Sequence, residues 1–153
     1  MERTYPKYQL LPDAKSLIEL ATLKRAESWS NHHWHNNTSM EKRMFNIYQG
    51  LCGEDAYASY IGSYVDFEVL STGDDGGTDF SGTNVKTSGL ERDPNQTKNI
   101  IIKCGVIERS ERYVAVMMNF EGTELKILGW RSAEFIKKSN FTKIRNMFGD
   151  ECY

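Results

Sequence analysis

The stretch Gly77-Thr78-Asp79-Phe80-Ser81-Gly82-Thr83-Asn84-Val85-Lys86 constrains this chain more than any other. Ser81-Gly82 reads as a two-residue turn joining a strand over Thr78–Phe80 to one over Thr83–Ser88. With that turn, Phe80 faces Thr83 and Asp79 lies directly opposite Asn84. Opposed residues of an antiparallel pair project to one face, and Lys86, two residues on, shares it. The spacing therefore predicts that Asp79, Asn84 and Lys86 converge, while Phe80, Thr83 and Val85 turn to the other side. An acid, an amide oxygen and a lysine on one face suit metal-assisted phosphodiester hydrolysis. The carboxylate would hold a hard cation that prefers oxygen ligands, and the lysine would orient a water or neutralise phosphate charge. An ordinary surface hairpin would also carry three such polar residues.

The surrounding pattern sets the fold class. Asp13 to Glu27 reads as a helix with Leu17, Ile18, Leu20, Ala21 and Leu23 clustered and Pro12 near its start. Thr38-Ser39-Met40-Glu41 matches a capping box opening a second helical region to about Ile61, which Gly50 and Gly53 would bend or divide. Strands are expected at Tyr64–Leu70, Asn99–Cys104, Tyr113–Phe120 and Glu124–Trp130, the last two joined by a turn at Glu121-Gly122. The tail from Ser132 to Phe148 reads as helical in parts. Helices first, then a mainly antiparallel sheet, then a short helical tail make an α+β or mixed α/β layout. One domain over 1–153 accommodates it, with an N-terminal helical extension (1–40), a core (41–131) and a tail (132–153).

Within the second helix, Ile47, Leu51, Glu54, Ala58 and Ile61 are spaced as one helix face. Glu54 thus occupies a core-facing place, where a carboxylate is costly unless paired or bound to a metal. The alternative is that Gly53 resets the phase and leaves Glu54 exposed at a helix start.

Composition excludes some classes. At 153 residues, with 39% hydrophobic and 26% charged residues, the chain reads as a globular protein able to bury one core. It has no long apolar run for a membrane, and its first residues do not read as a secretory signal. Its three widely spaced cysteines indicate neither a disulfide framework nor a metal knuckle, and point to a reducing, cytoplasmic setting. The net charge of -2 counts against a purely electrostatic nucleic-acid binder. It is compatible with an enzyme that recruits divalent metal to neutralise phosphate.

Gly53-Glu54-Asp55-Ala56-Tyr57, then Gly77-Thr78-Asp79-Phe80, then Asn84-Val85-Lys86-Thr87-Ser88 together resemble the PD-(D/E)XK nuclease superfamily, above all its small phage-type and Holliday-resolvase-like branches. The resemblance spans about Gly50 to Trp130. It implies a restriction-endonuclease-like core with a central mixed sheet flanked by helices, and a metal-dependent endonuclease acting on DNA with Mg²⁺ or Mn²⁺. Asp79 would match the first metal-binding acid, Lys86 the motif lysine, Glu54 the helical glutamate, and the Val85 carbonyl a backbone metal ligand. Asn84 departs from the family, which places Asp or Glu there. An amide oxygen brings no charge, so Glu54 or Glu68 would have to supply it. The resemblance also implies pairing of two copies to cut two strands, and a phage-encoded protein acting in its host.

Two rival readings remain. One is a nuclease-fold module without catalysis that binds nucleic acid or a protein partner. The other is an interaction protein of no nuclease ancestry, for which Asp79, Asn84 and Lys86 would not share a face. Elsewhere, Lys98 and Lys103 flank the strand expected beside the site and are candidate phosphate contacts. Lys137, Lys138, Lys143 and Arg145, interleaved with Phe135, Phe141 and Phe148, form a basic tail patch that reads as a nucleic-acid contact or a solvated helix. The cluster His32-His33-Trp34-His35 reads best as a polar loop, with base stacking or a transition metal as alternatives.

Overall fold

The structure, a computed structural model, describes residues 4–30, 39–65, 67, 79–89, 102, 104–139, 144–145 and 151–152. Its elements in order are β1 (Lys7–Gln9), α1 (Pro12–Ser30), α2 (Met40–Ile61), β2 (Thr83–Gly89), a 3-10 helix (Cys104–Arg109), β3 (Arg112–Met118), β4 (Glu124–Ser132), α3 (Ala133–Lys138), β5 (Ile144–Arg145) and β6 (Glu151–Cys152). The layout is α+β. Four strands form a mixed sheet in the order β1-β4-β3-β2, and β5 and β6 form a separate antiparallel pair.

The start of α1 and both ends of α2 follow local chemistry. Proline opens α1, where its missing N–H costs nothing and its fixed φ already suits a helix. Ser39 caps α2, its side chain accepting from Lys42 N at 3.3 Å. The cap thus falls one residue later than the Thr38–Glu41 box predicts, and Thr38 itself lies outside the described residues. Gly62 ends α2 in the left-handed conformation at φ +70, with Ser63 N bonded back to Ala58 O. Neither Gly50 nor Gly53 divides the helix.

The core lies between these helices and one face of the sheet. Ile18, Ala21 and Ala26 of α1 meet Ile47, Leu51, Cys52 and Ala56 of α2 over Val85, Val114, Val116, Met118, Leu125 and Ile127. Residues 7–30 are therefore part of the main body: β1 joins the sheet and α1 enters its core. Leu17, Leu20 and Leu23 are exposed, because the buried stripe of α1 runs through Ile18, Ala21 and Thr22. On the opposite face a smaller cluster joins Ile102, Ile107, Tyr113, Ala133 and Ile136.

The strands depart from expectation in two respects. The sheet is antiparallel in two of its three pairings, β1 with β4 and β3 with β4, but β2 pairs with β3 in parallel, Thr83 beside Arg112 through Gly89 beside Met118. A parallel neighbour cannot be reached by a tight turn, and the chain between them includes the 3-10 helix, where Cys104 was expected to end a strand. Of the strand expected over 64–70, the described residues Tyr64, Val65 and Phe67 are not in a strand; the rest lies outside the described residues, as do 99–101 and 103. The turn after β3 forms as read: Gly122 N donates to Asn119 O at 3.0 Å, and Gly122 takes φ +72. In the tail, α3 is helical but Ile144–Arg145 is a strand.

Candidate active site

The two-residue turn is present. Phe80 N donates to Thr83 O at 3.0 Å and Thr83 N to Phe80 O at 2.9 Å, closing a tight antiparallel bridge with Gly82 at φ +66. Beyond this pair the hairpin departs from a regular ladder. Asp79 turns its carboxylate onto the strand, and Oδ2 accepts from Val85 N at 2.6 Å. The side chain thereby takes a hydrogen bond that a backbone carbonyl would take in a continuing ladder. A carboxylate–amide bond of this kind is strong because its acceptor is charged.

Register fixes the faces. Val85 and Thr87 lie beside Val114 and Val116 in the core face, whereas Asn84 and Lys86 lie beside Tyr113 and Ala115 on the reverse face. Asn84 and Lys86 thus share a face, as the two-residue repeat requires. Asn84 is buried, at 8% exposure, and Lys86 is half-buried. Asp79 stands at the β2 edge close enough to Tyr113 for its negative charge to help hold that phenol's proton; burial is the larger cause of the upward shift. The Tyr113 hydroxyl donates to Ile107 O at 3.1 Å, tying the reverse face to the 3-10 helix.

Glu54 is buried, at 9% exposure, as the helix-face spacing predicts and not as an exposed helix start. It follows Gly53, whose missing side chain allows α2 to approach β2: a Cβ there would lie 2.9 Å from Thr87 Cβ and nearer still to Thr87 Oγ1. One turn later, Tyr57 meets Phe80 edge to face, with centroids 5.2 Å apart. Glu54 is thereby carried to the same stretch of β2 as the hairpin, but on a helix that packs on the Val85–Thr87 face. That face is opposite the one that carries Asn84 and Lys86. Among the described residues, no three His, Cys, Asp or Glu side chains gather as a metal-binding group.

Other candidates are placed less centrally. Lys137 pairs with Glu108, and Lys138 with Glu134. Lys98, Lys103, Lys143, Glu68, Phe141, Phe148 and the His32–His35 cluster lie outside the described residues.

A second polar group, missed in the sequence, lies between β1 and α2. Asp55 bonds to Tyr8, yet its Oδ2 is buried with no hydrogen-bond partner among the described residues, and burial raises its pKa. Nearby, burial pushes the Cys52 thiol up to about 12, although its hydrogen bond with Tyr48 works the other way. Cys52 is a packed, unreactive thiol. Asp55 gave no signal in the sequence, because its partner Tyr8 lies in a strand too short to read.

No family model, no curated protein and no solved structure matches the chain.

Proposed function

We propose that the chain is a metal-dependent endonuclease of the PD-(D/E)XK type acting on DNA. The observation that carries this reading is the tight hairpin: it sets the Asp79 carboxylate against Val85, and β2 then presents Asn84 and Lys86 on one face of an edge strand. The donor set is oxygen throughout: a carboxylate, an amide and the Val85 carbonyl, with Glu54 buried on the neighbouring helix. That chemistry fits Mg²⁺ or Mn²⁺ better than a thiolate-seeking metal. A bound cation would supply charge neutralisation at phosphate and a water of lowered pKa. The chain's own share is positional. Val85 N holds Asp79 in one rotamer, and Lys86 offers an ammonium for a phosphate oxygen.

A second reading is a nuclease-fold module that binds nucleic acid or a protein partner without cutting. Asn84 favours it, being uncharged at the place of the family's second acid, and so does Asp79's engagement with the backbone.

Incubation with plasmid, single-stranded and branched DNA under Mg²⁺ or Mn²⁺ decides between them. The endonuclease reading expects cleavage that Asp79→Ala and Lys86→Ala lower by about 10²-fold or more, the scale of a lost charge-stabilising group. Asn84→Asp is expected to raise the rate. Absence of cleavage in the natural chain and in Asn84→Asp alike, without metal binding by calorimetry, sinks it in favour of the binding module.

A further inference from the structure

At the far end of the sheet, β4 does something the rest of the molecule does not. Its register against β3 slips between Ala115 and Val116: Val116 pairs with Ile127 but Ala115 with Gly129, so Leu128 is an extra residue. Gly129 takes φ +135, which only glycine adopts without strain. Such a bulge reverses which residues face each side. Leu125 and Ile127 point into the core, and an unbroken strand would have sent Gly129 and Arg131 after them. Instead Trp130 is paired with Val114 and Arg131 with Tyr113.

Trp130 is placed beyond the cover of the helices and is 57% exposed. The Arg112 guanidinium lies over its ring, 5.6 Å from the centroid. On the other side of the same strand end, the Arg131 guanidinium lies 5.3 Å from the ring of Phe135, itself 49% exposed, and donates to Trp130 O at 2.9 Å. Neither arginine pairs with a carboxylate among the described residues. Of the nearby acids, Glu108 and Glu134 take Lys137 and Lys138, and the Glu111 carboxylate lies beside Gly82. Among the described residues, β1 covers only Glu124–Lys126 of the outer edge of β4, and the last bond on that side is Ile127 N to Pro6 O at 3.0 Å. Arg112 N is bonded to Gly82 O at 3.1 Å, so this surface starts one strand away from the turn that carries Asp79.

Two exposed rings, each with a guanidinium that has no carboxylate partner among the described residues, match a ligand that alternates flat π-faces with anions. We propose that the Arg112–Trp130 and Arg131–Phe135 pairs form a subsite for an unpaired stretch of nucleic acid, with bases stacking on the rings and phosphates meeting the guanidiniums. A regular duplex keeps its bases stacked inside and offers these rings nothing. The inference rests on the nucleic-acid reading above for its ligand class, but not on cleavage.

The test is fluorescence anisotropy of a labelled 12-nucleotide oligo(dT) with the full chain, beside a blunt duplex of equal length. The single strand should bind more tightly. Trp130→Ala should weaken it about tenfold, the scale of one lost base stack, while Trp130→Phe should keep most of the affinity. Arg112→Ala should lower the slope of log affinity against log salt by roughly 0.7, one phosphate contact on a single strand. Equal binding by Trp130→Ala and the natural chain overturns the proposal, as does a preference for the duplex. So does a Trp130→Ala change that leaves oligo(dT) binding alone but converts a dimer to a monomer in sedimentation, since the surface is then a protein interface. Trp130-dependent binding without cleavage leaves this inference standing and counts against the endonuclease; cleavage with unchanged oligo(dT) binding by Trp130→Ala does the reverse.

Discussion

The two faces of β2 are one strand with two different demands. Toward the helices, Val85 and Thr87 sit in close contact with α2, and Gly53 is there because no side chain fits. Toward the other side, Asn84 and Lys86 carry polar groups beside Tyr113 and Ala115, under a smaller apolar cluster. The difference teaches that stability and chemistry are separated by the pleat: alternate residues of a single strand serve one or the other, with Asp79 bridging them from the edge. Substitutions should therefore sort by face.

The largest loss of stability is expected from Leu125→Ala, a fully buried residue of the helix-side core. It should cost about 2–5 kcal/mol, read as a fall in the urea midpoint. A small effect there would break the comparison at its root. Gly53→Ala should come next. Helix propensity favours alanine by about 1 kcal/mol, but overpacking costs about 1–3 kcal/mol, and the obstacle includes the Cβ of Thr87 rather than a flexible tip. Thr87→Ala should recover part of the loss in a double-mutant cycle, which sharpens the assignment to that one contact.

Asp55 offers a pH-dependent test on the helix side. Its folded pKa is raised, by burial above all, so just above the ordinary aspartate range the folded chain keeps a proton that the unfolded chain has released. Stability should fall as pH rises through that window and stay lower above it. Asp55→Asn should flatten this part of the Tm–pH curve and raise Tm at neutral pH, because an amide can still accept from Tyr8. The smallest effect should be that of Lys86→Ala on unfolding, within about 0.5 kcal/mol, since the half-buried lysine is outside the helix-side core. A loss as large as that of Gly53→Ala would show that the two faces are not separated as described.

What was legible in the sequence follows the range of the forces involved. The hairpin turn, both long helices, β3, β4 and the turn between them are local, and their signals are periodicity and glycine. The buried place of Glu54 was legible for the same reason. The parallel pairing of β2 with β3 was not, because nothing within either strand records the direction of its neighbour. β1 has only three residues and gains its form from β4. The bulge at Leu128 was hidden because Glu124–Trp130 reads as an unbroken strand, although Gly129 was its one available sign. The bond from Val85 N to Asp79 was invisible for another reason: the hairpin rule places side chains opposite one another but does not say when one will turn inward to replace a backbone acceptor.

The parallel pairing also orders events in time. β3 and β4 are joined by a turn of a few residues, and their ladder can zip from that turn as soon as it closes. β2 has to close the whole loop from Gly89 to Arg112 before its first bond to β3 repays the entropy spent. The strand that carries Asn84 and Lys86 is therefore the late arrival in folding, and by the same reasoning the first to leave. Amide hydrogens of β2 should exchange sooner than those of β3 and β4, so the candidate site would be lost while the rest of the sheet is still intact.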